Sequence, residues 1–164
     1  MMPRRWTLAL IVGVGGVLGA FAIVGLVALM MGEPGPRGYV EREATGQLAI
    51  GYRNCPGESI KDLEVYDLTA STPVLLWKVS RVAEVQVTHI VLGQVPNGFN
   101  ESSAFVEPVE THKIRFEIDG TTGLESTIEF EPSKLGSGQY WQAADPEPSP
   151  LSKLKRTGSS EVGC

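Results

Sequence analysis

Between Trp6 and Gly32 the chain carries no charged side chain. The stretch WTLALIVGVGGVLGAFAIVGLVALMMG is apolar or small throughout, with Arg4 and Arg5 before it and Glu33 after it. A continuous helix of that length would reach about 40 Å, enough to cross a hydrocarbon core about 30 Å thick with some tilt. A backbone crosses lipid only when its polar groups are satisfied internally, so residues 6–32 are expected to be a helix in spite of their glycines. The arginines ahead of the span favour a cytoplasmic N-terminus at residues 1–5 and place everything after Gly32 outside. The expectation is a single-pass membrane protein held in the lipid bilayer by residues 6–32.

Other readings of the stretch fit less well. Ala20-Phe21-Ala22 would offer a signal-cleavage site, but Ile23-Val24-Gly25-Leu26-Val27 stays apolar where a cleavage region turns polar. A lipid anchor needs a cysteine at the end of the run, and the first cysteine is Cys55. Gly13, Gly15, Gly16 and Gly19 resemble a dinucleotide-binding cluster only loosely, because that fingerprint has meaning between a strand and a helix with an acidic residue further on. Gly15 and Gly19 do form a small-xxx-small pair, which lets two membrane helices approach closely and would allow self-association.

Charge divides sharply along the chain. Residues 1–32 carry only Arg4 and Arg5, whereas residues 33–142 carry 16 acidic against nine basic side chains. An acidic domain lacks the basic footprint that nucleic acid requires, and it would be repelled by an anionic lipid surface. Two cysteines, Cys55 and Cys164, permit one disulfide in an oxidising compartment. An intramolecular bridge, a bridge between chains and two separate thiols all stay open.

Residues 33–45 (EPGPRGYVEREAT) are dense in Pro, Gly and mixed charge and read as a flexible tether. From Gly46 the apolar spacing becomes the strand period of two. Leu48, Ile50 and Tyr52 alternate with polar or small neighbours, and Leu63 and Val65 share one face of the next segment. Val74 to Val79 is more continuously apolar, as in a strand covered on both sides. Val85, Val87, His89 and Val91 are expected on one face of a further strand, and Val95-Pro96-Asn97-Gly98-Phe99 reads as a turn.

The clearest hairpin follows. Ile114, Phe116 and Ile118 point one way, DGTTG at 119–123 turns, and Leu124, Ile128 and Phe130 point back. Pairing Ile118 with Leu124 would set Ile114 opposite Ile128, Lys113 opposite Glu129 and Glu117 opposite Glu125. No helical stripe follows Gly32, and strands at this spacing indicate an antiparallel sandwich or a small β-barrel over residues 46–142. Residues 143–164, rich in Pro, Ser and Gly, are expected to be disordered.

Trp77 resembles the core tryptophan of strand C in immunoglobulin-like domains, although the paired cysteines of those domains are missing. The resemblance implies an all-β, immunoglobulin-like sandwich and no function. The architecture of a short basic start, one span and a small β domain resembles that of envelope proteins of Gram-positive bacteria.

No catalytic constellation is legible. The G-x-S-x-G elbow is absent, and His89 and His112 lack the partners that zinc or blue copper would need; every methionine lies before Gly32. Neither a metal nor another cofactor is expected. Glu117, Glu125, Glu129 and Glu131 alternate with apolar residues, so they form the wet face of a sheet, bland or recognising a basic partner. The function expected is a non-catalytic binding or protein-interaction module with an unidentified protein or envelope partner. An accessory subunit of a membrane complex and an enzyme acting on envelope polymers are the alternatives.

Overall fold

Ten strands make up the computed structural model, which describes residues 38–53, 57–123, 125–143 and 145–154. The expected span 6–32 with Gly15 and Gly19, and both Cys55 and Cys164, lie outside the described residues. Among the described residues no helix is long and apolar enough to cross a membrane.

In chain order the strands are β1 (Gly38–Arg42), β2 (Leu48–Tyr52), β3 (Ile60–Asp67), β4 (Val74–Arg81) and β5 (His89–Val91). Then come β6 (Phe99–Ser103), β7 (Ile114–Gly120), β8 (Glu125–Phe130), β9 (Gln139–Gln142) and β10 (Ser149–Pro150). They form two antiparallel five-stranded sheets. The first runs β10-β9-β1-β2-β5 and the second β6-β4-β3-β7-β8. Both are open-edged, the arrangement of a sandwich rather than a closed barrel.

One core joins the sheets. Val40, Ile50 and Ile90 enter it from the first, and Leu63, Val65, Phe116 and Ile128 from the second. Each is essentially buried, and a side chain of that size contributes about 1.5–3 kcal/mol when taken out of water. The period-two expectation holds best on β7, where Ile114, Phe116 and Ile118 all face the core. Trp77 is fully buried in the same core.

Two boundaries are corrected. Gly38–Arg42, expected as tether, is β1, a middle strand paired with β2 on one side and β9 on the other. Its glycine is required by close approach: a Cβ at position 38 would fall 2.7 Å from Ile118 Cδ1, and the Gly38 N–H donates to Ser126 Oγ at 3.1 Å. Ser149–Pro150, expected in the disordered tail, pairs with β9 at the sheet edge. A proline is tolerated there because its missing N–H faces no partner strand.

One register and the placement of β4 and β5 residues are corrected as well. The β7–β8 hairpin joins Ile114 to Phe130, Phe116 to Ile128 and Ile118 to Ser126, two residues away from the expected register. Glu117 therefore faces Thr127, and Glu125 faces Asp119. Val74 and Leu75 are 51% and 36% exposed, so the start of β4 is not covered on both sides. Val85 and Val87 precede β5 rather than belong to it, held by the buried Ser59 hydroxyl, which donates to Val87 O at 2.9 Å and accepts from Val87 N at 2.7 Å. Within β5 it is Ile90 that enters the core, and His89 turns to the opposite face.

Candidate functional site

The outer face of the second sheet is a charge lattice set by strand alternation. One row across it reads Tyr66, Arg115 and Glu129, and the next reads Lys78, Glu64, Glu117 and Thr127. A third reads Ser80, Asp62, Asp119 and Glu125. Glu117, Glu125 and Glu129 thus share one face. Glu131 lies past the end of β8, where it pairs with Lys134 at 3.0 Å.

The rows differ in how well their charges are compensated. Glu129 sits between Lys113 Nζ at 2.6 Å and Arg115 Nη2 at 2.8 Å, and these bonds, that of Lys113 foremost, hold its carboxyl below the usual range. Glu64 is held low by Lys78, 2.5 Å away, and by the Tyr66 hydroxyl that donates to it. The same hydrogen bond pushes the Tyr66 phenol up to about 12. At the other end Asp119 is pushed above the ordinary carboxylate value, first by burial and then by the charges of Glu125 and Asp62. Lys61 lies 3.1 Å from Asp62, and it lines a cleft of about 270 Å³ together with Asp119, Thr121 and Glu125. Negative charge is therefore concentrated at the Gly120 end of this face.

A second constellation stands on the outer face of the first sheet. His89 Nε2 is 2.7 Å from Glu41 Oε1 and 3.9 Å from Glu43 Oε1. Glu41 belongs to β1, Glu43 immediately follows it, and His89 opens β5, with β2 between. The β2 residues beneath are small: Ala49 pairs with Glu41, and Gly51 pairs with both Tyr39 and His89. Glu41 and His89 can meet across β2 because no large side chain stands between them. This group is not legible in the sequence, where both glutamates fall in the expected tether 33–45. Its trace there is the alternation Tyr39, Glu41, Glu43 around the apolar Val40.

Other polar groups are occupied with structure. Arg42 donates from Nε to Leu135 O at 2.7 Å, from Nη1 to Gly46 O at 2.9 Å and from Nη2 to Glu110 Oε2 at 2.8 Å. It thereby forms one wall of a cleft of about 480 Å³ that Gln47, Phe105 and Glu107 also line. His112 Nδ1 lies 2.6 Å from Asp67 Oδ2, and this bond foremost holds the Asp67 carboxyl below its usual range.

Compared with protein-family models, with curated proteins and with solved structures, the chain matches none.

Proposed function

We propose that the chain is a membrane-anchored, non-catalytic interaction module. Its β-domain stands outside the cytoplasm, and the acidic outer face of the second sheet receives a basic protein partner. The observation that carries this reading is the partition of charge. Trp6–Gly32 has none behind Arg4 and Arg5, and residues 33–142 bear a net −7. Lipid accepts the first segment and excludes the second. Within the domain, the carboxylates of Asp62, Asp119 and Glu125 lie in one row, where a Lys- or Arg-bearing surface would relieve their repulsion and gain by charge complementarity.

The immunoglobulin-like form of the sandwich draws support from strand pairing. β1-β2-β5 follow the order of strands A, B and E, and β4-β3-β7-β8 follow C′, C, F and G. Trp77 lies on β4, in the C′ place, so topology supports the likeness better than that tryptophan does. The spacing of Gly15 and Gly19 favours a second reading, an accessory subunit whose membrane helix packs on others.

Full-length protein captured from detergent-solubilised membranes tests both. The interaction module keeps its partner when Gly15 and Gly19 are replaced by Leu. It loses that partner in an Asp119→Asn, Glu125→Gln double variant, and progressively as salt is raised. Retention by the double variant with loss in the glycine variant favours the subunit. Protease added to intact cells or spheroplasts should digest residues 33–164; a fully protected domain overturns the outward topology.

A further inference from the structure

We infer that Glu41, Glu43 and His89 form a binding site for one divalent transition-metal ion, with zinc the best match, on the face of the first sheet turned away from the core. The three offer one ligand atom each, all within 4.8 Å of one another. Zinc bound at about 2.0–2.1 Å in tetrahedral geometry sets its ligands about 3.3 Å apart. The separations of 2.7 Å and 3.9 Å from His89 Nε2 fall on either side of that value, each within roughly 0.6 Å of it, and the two carboxylates, within 4.8 Å of one another, would close on the ion by side-chain rotation.

The ligand types select the ion. One imidazole nitrogen and two carboxylates suit zinc or its first-row neighbours. Calcium and magnesium prefer oxygen alone, and copper(I) prefers sulfur. Three protein ligands leave the fourth tetrahedral position to water, the composition of an open zinc site.

The surroundings restrict how the ligands can move. The Glu41 side chain is only 4% exposed, and on either flank of it stand the buried rings of Tyr39 and Tyr140. Glu43 is fixed at its backbone, donating its N–H to Gln47 O at 2.9 Å and accepting from Gly46 N at 2.9 Å. The pair is therefore presented from one hairpin strand, two residues apart on one side of it, as a carboxylate pair must be to share an ion. Across β2, the small Ala49 beside Glu41 puts no bulk on the path to His89, while the Tyr39 ring covers Gly51. The Glu43 carboxylate accepts from Thr45 Oγ1 at 3.4 Å through Oε2, and its Oε1 stands 3.9 Å from His89 Nε2, where a metal ion would draw on it together with Glu41 and His89.

Zinc titration of the full-length protein in detergent, stripped beforehand with a chelator, tests the site calorimetrically. One zinc per chain is expected. His89→Gln and Glu43→Gln should each weaken binding at least about tenfold, since even the groups that merely orient zinc ligands are worth 10–100-fold. Glu43 is partly exposed, so Glu43→Gln keeps the fold, which an unchanged circular dichroism spectrum verifies. His112→Gln should bind zinc like the wild type. Cys55 and Cys164 are also zinc-binding residue types, so cobalt(II) replaces zinc in a parallel titration. A spectrum free of thiolate-to-metal charge transfer is expected, and a Cys55→Ser, Cys164→Ser variant should retain the site. Absence of zinc uptake, unchanged affinity in Glu43→Gln and His89→Gln, or loss of binding with the cysteines overturns the inference. None of these outcomes depends on the acidic face of the second sheet or on its partner.

Discussion

The ring of Tyr39 lies directly over Gly51, its register partner on β2, so closely that a Cβ at position 51 would fall 1.8 Å from Tyr39 Cζ and 2.1 Å from its hydroxyl oxygen. Tyr39 is also held edge-on by Tyr140, with ring centroids 6.2 Å apart. The tyrosine can cross β2 only because that strand offers no side chain there. Gly51→Ala should therefore cost about 1–3 kcal/mol, the range for overpacking a close-fitted site. Urea unfolding measures it, and an unchanged midpoint would mean that the ring swings aside freely.

Asp119 should be a destabilising ion at neutral pH. Burial, and after it the neighbouring Glu125 and Asp62, raise its carboxyl above the ordinary value for an aspartate. The fold thus favours the protonated form. That contribution is whole below the unfolded value and is lost as pH rises through the higher folded one. Asp119→Asn should stabilise the domain by about 0.2–1 kcal/mol near pH 7, the scale of like-charge pairs on a sheet, with the gain shrinking toward pH 3. A constant difference across that range would mean that charge is not the cause.

Tyr66 titrates unusually high because its proton is held by Glu64. Its phenol is pushed up to about 12, with the hydrogen bond to Glu64 as the largest cause. Stability from this bond is complete below pH 10 and is lost as pH climbs toward 12. Removing the charge in Glu64→Gln should return the phenol toward 10. An ultraviolet difference titration of variant against wild type reads that shift directly, and superimposable curves would refute the coupling.

Trp77 combines apolar burial with one directional contact. It is fully buried, its Nε1 donates to Glu101 Oε1 at 2.7 Å, and Phe105 meets it edge-on at 5.6 Å between centroids. Trp77→Ala should cost about 3–5 kcal/mol. Glu101→Gln keeps an acceptor oxygen for the indole and should cost no more than about 1.5 kcal/mol. Chemical denaturation of both variants separates packing from hydrogen bonding. Equal losses would mean that the Glu101 contact, rather than the ring's burial, supplies most of the stabilisation.

Much of the sheet architecture was legible because strand alternation is local. Ile114, Phe116 and Ile118 on β7, and Ile128 and Phe130 on β8, declare their inner face through period two alone. The same property hides register. A slip of two residues leaves every inward side chain inward, so alternation could not choose between Ile118 opposite Leu124 and Ile118 opposite Ser126. The electrostatics followed the register: it sets Asp119, not Glu117, against Glu125.

The all-β class, the inward faces of β7 and β8 and the concentration of negative charge after Gly32 were legible in the sequence. Each depends on composition or on neighbours two residues apart. Tertiary structure alone decided that Gly38–Arg42 is a strand, because a short segment of mixed charge becomes one only when β2 and β9 satisfy its backbone on both edges. It alone brought His89 to Glu41 and Glu43, residues remote in the chain that meet because β5 joins β2 beside β1 and the small Ala49 puts no bulk between them.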